Sequence, residues 1–286
     1  AKTNLTLAVG KPREEWAGRH ELDTIYCAIS LTDTVTVTEK PADAGFSLEL
    51  DGAHLGDLAS SQADMRRNHA VLALFAMAKA ANREPNVGLS ITKRIPVGGG
   101  LAGGSADAAA TILGLNELWG LHWPAERLRD VAATLGADMP FCVTGGTGYG
   151  ERIECFAPDS PTAADLRAQG YAGSLVVGAY QSQLSTPEVY AAFDQIGAGE
   201  GDANHLQKAA VSLHPRSGQA IDAALKAGAS HAFVSGSGPS VVVFTPTPAI
   251  RQAVIEAWKQ DSCVDRIIAA SAPAVPSVTR HGDAIQ

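Results

Sequence analysis

The chain has 286 residues, 45% of them hydrophobic and 18% charged, with a formal net charge of -8. Such a chain has material for a large core and two domains, which excludes a wholly disordered protein. The acidic balance argues against a broad nucleic-acid-binding face, which draws on clustered Lys and Arg, but leaves room for a small anionic ligand held by a few local cations. No apolar run reaches the roughly 20 residues of a membrane span, and no signal-peptide pattern is visible. Cys27, Cys142, Cys155 and Cys263 form neither a C-x-x-C pair nor a metal-ligand spacing with His. Four inert thiols in a reducing cytoplasm are expected, with no metal site and no membrane or nucleic-acid partner. The chain opens at Ala1 without Met inside a strand-like stretch, so further residues are expected before it.

Residues 3–9 alternate polar and apolar, as a half-buried strand does. The same alternation predicts strands through Val35 and Val37, through Phe46, Leu48 and Leu50, and through Val87, Leu89 and Ile91. Apolar residues at 71, 72, 74, 75 and 78 predict a helix over 67–82. A glycine-rich loop follows at 98–104, then a helix over 105–119 and another from Pro124 to about Gly136. Residues 157–172 read as a join. Beyond it, 174–180 reads as a strand, and Thr186-Pro187-Glu188 as a cap, a first-turn Pro and a dipole-complementing acid that start a helix. The remainder reads as a loop at 197–204, a helix at 215–227, strands at 231–234 and 241–244, a helix opening at Thr247-Pro248, and a strand over 264–270. That order suggests an antiparallel sheet covered by helices on one side. Residues 271–286, with two prolines and several polar residues, are expected to be loose.

The loop carries five glycines within seven positions (Gly98, Gly99, Gly100, Gly103 and Gly104) directly before an alanine-rich helix. Glycine lets the backbone approach a ligand closely, and a helix start offers unpaired N–H groups and a positive dipole end. Together they make a phosphate cradle. The Walker A pattern fails, because Gly104 stands where it needs Lys. G-x-G-x-x-G matches literally at Gly98, Gly100 and Gly103, but two helices follow instead of one βαβ unit. Neither H-R-D nor D-F-G occurs, so the protein-kinase pattern fails as well.

The run from Pro96 through Gly98-Gly99-Gly100-Leu101-Ala102-Gly103-Gly104-Ser105 to Ala108 resembles the phosphate loop of the GHMP kinases, a family of small-molecule kinases. Five further segments are similar to that family's motifs and lie in its order: Ala1-Lys2-Thr3-Asn4-Leu5, Gly18-Arg19-His20-Glu21-Leu22, Gly136-Ala137-Asp138-Met139-Pro140-Phe141, Thr186-Pro187-Glu188-Val189-Tyr190 and Ser235-Gly236-Ser237-Gly238-Pro239. They span roughly residues 1–240. The triple glycine resembles the branch that acts on a cytidine-diphosphate-linked sugar alcohol.

The resemblance implies an α+β chain of two domains: an N-terminal domain with the ATP loop, 1–156, and a ferredoxin-like C-terminal domain, 157–286. It implies transfer of the ATP γ-phosphoryl group to an alcohol, with Mg²⁺. Pro96, Gly98, Gly99, Gly100, Leu101, Ala102, Gly103, Gly104 and Ser105 would hold the ATP phosphates, with Ser105 a candidate for either Mg²⁺ or phosphate, and Asn68 would lie on the nucleotide side. Asp138 would accept the acceptor hydroxyl's proton or orient that hydroxyl, with Lys2 as its cation. His20 and Tyr190 would recognise cytidine. Arg19, where the family has Tyr, can stack on a base or pair with a diphosphate. Asp107 stands where the family often has Asn; beside phosphates it needs Mg²⁺ between, or must point away or serve the helix dipole. The turn at 235–238 is expected against the glycine loop. Asn204-His205-Leu206-Gln207 lacks both acids of the corresponding family motif and receives no role. A homoserine- or mevalonate-type kinase, and a non-catalytic relative, are the alternatives.

Overall fold

The structure is a computed structural model that describes residues 1–16, 18–52, 55, 62–149, 154–155, 157 and 159–280. β1 (Lys2–Arg13) pairs antiparallel with β2 (Arg19–Ala28), with register shifts between Asn4 and Thr6 and between Val9 and Pro12. β3 (Thr34–Glu39) and β4 (Ser47–Gly52) follow, then α1 (His69–Ala81) and β5 (Val87–Lys93). The glycine loop leads into α2 (Gly103–Leu118), followed by α3 (Ala125–Ala133) and the short α4 (Met139–Thr144). β6 (Thr147–Tyr149) and β7 (Glu154–Cys155) complete a sheet ordered β1-β2-β6-β7, while β3-β5-β4 form a second. The alternation of Val87, Leu89 and Ile91 turns those side chains inward against Val71, Leu74 and Met77 of α1 and Ala108, Ile112 and Leu115 of α2.

The second half runs α5 (Pro161–Ala168), β8 (Gly173–Ala179), α6 (Thr186–Ile196), α7 (Gln207–Leu213), α8 (Pro215–Lys226), β9 (His231–Val234), β10 (Val241–Phe244), α9 (Pro248–Asp261) and β11 (Arg266–Ala272). Its sheet order, β11-β8-β10-β9 with every pairing antiparallel, is the ferredoxin-like arrangement. Period-two alternation splits this sheet into two apolar faces. Val176, Val234, Val241 and Val243 pack with Val189, Ala220, Val254 and Trp258 of the helices. Leu175, Val177, Phe233, Val242 and Phe244 face Leu5, Ile29, Ile95 and Leu101 of the first half. Both shoulders of the glycine loop are therefore set in the core shared by the two halves.

Several elements differ from the sequence expectation. β2 lacks an apolar alternation, because polar residues (Arg19, His20, Glu21, Asp23 and Thr24) fill most of its first half. α4, α5 and α7 are too short to show a helical period. Thr186 is not the cap of α6: it is the first helical residue, Ser185 takes the cap position, and Thr186 Oγ1 lies 2.9 Å from Ser237 Oγ. The tail is not loose through its described part. Ala274 N donates to Ala28 O, Gly146 N donates to Ala274 O, and Arg280 pairs with Glu117, so the chain returns to the first half; residues 281–286 lie outside the described residues. Cys27, Cys142 and Cys263 are free thiols, and burial pushes the first two up to about 12. The side chain of Cys155 lies outside the described residues. Among the described residues no helix is long and apolar enough to cross a membrane.

Trp258 is fully buried and donates from Nε1 to Ala220 O at 2.8 Å, tying α9 to α8. Trp258→Ala is expected to cost about 3–5 kcal/mol of stability, read as a lower urea midpoint; an unchanged midpoint would remove it from the core.

Candidate active site

The glycine loop is held by its carbonyls. Ser240 N donates to Gly99 O at 3.3 Å, Ser235 Oγ to Gly100 O at 3.0 Å, and Lys2 N to Leu101 O at 3.0 Å. A trans peptide is planar, with its C=O and N–H on opposite sides. Turning these three carbonyls into the protein therefore aims the N–H groups of Gly100, Leu101 and Ala102 the other way. Successive amides so turned, next to the start of α2, have the arrangement of an anion-binding nest. The turns require left-handed backbone at Gly98 (φ 66°), Gly100 (φ 77°) and Ala102 (φ 55°). At Gly100 a Cβ would also meet Ser235 O at 2.0 Å. The turn 235–238 thus packs on the loop from the other half, as expected. Leu101 anchors the loop in the core, and Pro96 and Ser105 stand at its two ends, before Gly98 and in the first turn of α2. A Cβ on Gly104 would lie 2.5 Å from His69 Nδ1, so α1 approaches the loop closely. Asn68 caps α1, its side-chain oxygen accepting from Ala70 N at 2.9 Å.

Asp138 occupies the cap position of α4, yet its side chain makes no cap bond. Instead Oδ1 accepts from Tyr26 Oη at 2.6 Å and Oδ2 lies 3.5 Å from Lys2 Nζ. Lys2 donates to Asn4 Oδ1 at 2.9 Å and sits 4.5 Å from the centre of the Tyr26 ring. Asn4 Nδ2 in turn donates to Thr24 Oγ1 at 2.7 Å. The ammonium is buried, while the Asp138 side chain keeps 34% of its surface exposed. Burial, then the Asp138 charge and hydrogen bond, push the Tyr26 hydroxyl upward, so it stays a donor. The main chain of Lys2 binds the glycine loop while its side chain reaches Asp138, which joins the two features the sequence singled out separately.

His20 and Tyr190 also meet. Their rings stack with centroids 5.2 Å apart and planes at 25°, with Phe193 edge-on to His20. His20 Nδ1 lies 2.8 Å from Gly10 O, which can only accept, so this nitrogen donates. Nε2 lies 3.3 Å from Asp194 Oδ1. Burial, then the charge of Asp138, push Tyr190 up to about 12, so its hydroxyl stays protonated. Arg19 stands exposed at the start of β2, opposite Arg13.

The sequence reading missed Tyr26, Asp194, Lys93 and Asp33. Tyr26 was findable: His20, Thr24 and Tyr26 fall on one side of a period-two strand. Lys93 takes the fourth inward position of β5, after Val87, Leu89 and Ile91. Its ammonium engages Asp33 and, at 2.7 Å, Asp107 Oδ2. Asp107 is turned to Lys93 and buried. Asn204 is buried and donates to Val234 O and Gly236 O, both at 2.8 Å, so it braces the turn beside the loop.

Comparison with known proteins places these residues in context. The family model described as the GHMP kinases N terminal domain matches residues 68–146, and that described as GHMP kinases C terminal matches 189–264. The chain is similar to proteins named 4-diphosphocytidyl-2-C-methyl-D-erythritol kinase. That of Bifidobacterium longum subsp. infantis is 69% identical over 282 residues, covering 97% of this chain and 89% of that protein. That of Mycobacterium avium is 38% identical over 277 residues, covering 87% and 81%. A crystal structure of 4-(cytidine 5'-diphospho)-2C-methyl-D-erythritol kinase aligns with a TM-score of 0.69 at 27% identity, over 96% of this chain and 97% of that one.

Gly100→Ala meets both the strained φ and the Ser235 carbonyl, whereas Gly18→Ala meets the same φ of 77° with nothing within 4 Å. The Gly100 variant is expected to lose more stability than the Gly18 variant, by more than about 1 kcal/mol. Paired chemical denaturation curves check this; equal losses would mean the loop does not press on the 235–238 turn.

Proposed function

This chain belongs to the GHMP kinase family, and from that premise we propose that it transfers the γ-phosphoryl group of ATP to the 2-hydroxyl of 4-diphosphocytidyl-2-C-methyl-D-erythritol, a step of non-mevalonate isoprenoid precursor synthesis. The names of relatives alike over nearly the whole chain support the substrate. The observation that carries the chemistry is Asp138, a cap-position carboxylate that leaves its helix uncapped and faces a tyrosine hydroxyl and a lysine bonded to the glycine loop.

Phosphoryl transfer through a loose transition state asks the protein mainly for positioning and charge stabilisation. The amides of Gly100, Leu101 and Ala102, with Pro96, Gly98, Gly99, Gly103, Gly104 and Ser105 shaping the loop around them, hold the triphosphate in this reading. Asn68 keeps its amide N–H groups for the nucleotide while its oxygen caps α1. On the acceptor side, Tyr26 occupies Oδ1 of Asp138 and leaves Oδ2 toward the substrate hydroxyl. Asp138 orients that hydroxyl and receives its proton as the oxygen bonds to phosphorus and ADP departs. Lys2 neutralises charge between the acceptor oxygen and the phosphoryl group. His20 and Tyr190 supply the aromatic surface for cytosine, and Arg19 lies where a guanidinium can stack or pair with the diphosphate.

Mg²⁺ enters this reading with ATP. Among the described residues no three His, Cys, Asp or Glu side chains come together as a metal site. The carboxylates behind the loop, Asp33 and Asp107, are both taken by Lys93. That donor set does not fit a resident ion, and no step is assigned to one. The reading also keeps the domain division at 1–156 and 157–286 and a cytoplasmic site of action, where ATP and free thiols coexist.

An ADP-release assay across a panel of acceptors tests the proposal: turnover is expected with the cytidine-linked alcohol, and tight binding without turnover of any acceptor would mean a non-catalytic relative. Asp138→Asn is expected to lower kcat about 10²–10⁴-fold with little change in KM for ATP; undiminished kcat would remove Asp138 from the mechanism. His20→Ala should raise KM for the cytidine substrate more than KM for ATP, and equal effects would make it a packing residue.

A further inference from the structure

Lysine at the inward end of a core strand, enclosed by two aspartates, is an expensive arrangement. Side chains of Lys93, Asp33 and Asp107 are 2%, 2% and 4% exposed. Desolvation of each charge costs several kcal/mol, and the mutual attraction returns it only with good geometry. Two carboxyl groups against one ammonium give the cluster no net positive charge to offer a triphosphate, so it does not attract ATP on charge alone. Burial pushes the carboxyl of Asp107 upward against the opposing pull of Lys93, and its Oδ1 has no hydrogen-bond partner among the described residues. Neither core stability nor phosphate attraction accounts for such a group.

Its connections do. Asp33 Oδ1 accepts the main-chain N–H of Arg94 and, at 2.8 Å, that of Ile95, the segment that runs into the loop. Asp33 Oδ2 accepts from Lys93. Lys93 donates at 2.7 Å to Asp107, on the second turn of α2, the helix that leaves the loop. A Cβ on Gly103, the first residue of that helix, would lie 3.1 Å from Ile95 Cγ2 and 3.4 Å from Lys93 Nζ, so the two ends already touch. Resting on the function proposed above, we infer that the Asp33–Lys93–Asp107 cluster is a clasp across the base of the phosphate loop, and that these three are positioning residues for ATP. They act through the main chain: the clasp sets the distance between the incoming strand and the outgoing helix, and so the curvature of the amide nest between them. Errors of about 1 Å in such a cradle can cost on the order of 100-fold in the reaction it positions.

Charge and position make opposite demands here, which gives the test its edge. Lys93→Met removes a positive charge and Asp107→Asn removes a negative one. If the cluster acted through its field, the first would weaken ATP binding and the second would tighten it. A clasp is weakened in both: Met offers no donor, and Asn keeps at most a neutral hydrogen bond in place of the charge-assisted one. We expect Kd for ATP, measured by calorimetry on the purified enzyme, and KM for ATP to rise at least fivefold in both variants, with KM for the cytidine-linked substrate changed less than twofold. A merely structural role would lower the fraction of active enzyme, and with it apparent kcat, while leaving KM for ATP in place. Lys93→Met strands two buried carboxylates and is the variant at risk of not folding; Asp107→Asn keeps Lys93 paired one to one with Asp33 and decides alone in that case. Tighter or unchanged ATP binding by folded Asp107→Asn would overturn the inference. Wild-type binding in the same titration separates the two readings: a wild-type chain that binds no ATP defeats the proposed function, whereas a binding wild type with an indifferent Asp107→Asn defeats only the clasp.

Discussion

Three carbonyls of the glycine loop face inward, and the rest of the site follows from that. A peptide plane cannot satisfy one side without committing the other. Once Gly99, Gly100 and Leu101 accept bonds from Ser240, Ser235 and Lys2, the next three amides are dedicated to whatever lies outside. No side chain with charge is needed to make the surface attractive to phosphate. The cost is conformational, since left-handed turns at Gly98 and Gly100 are open to glycine and closed to most other residues. Ala102 takes the same region at φ 55°, held by the start of α2 behind it.

The donors come from both halves of the molecule, so the cradle exists only when the halves are packed. Ser235 and Ser240 flank a turn of the ferredoxin-like half, and Lys2 begins the first strand. The apolar contact of Ile95 and Leu101 with Val177, Val242 and Phe244 presses the loop onto those donors. Lys2 is the hinge of the arrangement in a chemical sense: its N–H fixes Leu101 and its ammonium lies beside Asp138. Any shift of the loop is therefore felt at the carboxylate. In the proposed function the glycine loop, Asp138 and the His20–Tyr190 pair act together, with Lys2 joining the first two.

Much of this was legible in the linear chain, and the parts that were not share a cause. The glycine loop, Lys2, Asp138, His20 and Tyr190 each sit in a short local pattern, and the short apolar strands on either side of the 235–239 turn, 231–234 and 241–244, emerge with the expected ends. Residues whose meaning comes from a distant partner were silent. Tyr26 reaches Asp138 across 112 positions, and Lys93 reaches Asp33 across 60. Asp107 read as a problem beside phosphates because its partner lay on another strand. The end of the chain read as loose from its prolines and polar residues, yet its main chain bonds back to Ala28 and Gly146. Thr186 matched a cap motif, yet Ser185 holds the cap position and the Thr186 hydroxyl meets Ser237 of the turn beside the loop.

The account stands on the direction of three amides. Amide-resolved NMR during an ATP titration reads that direction most directly. The N–H signals of Gly100, Leu101 and Ala102 should shift more than any others outside the loop, and inorganic triphosphate should reproduce the effect while cytidine monophosphate should not. Signals that stay in place while ATP binds elsewhere would contradict the account at its root.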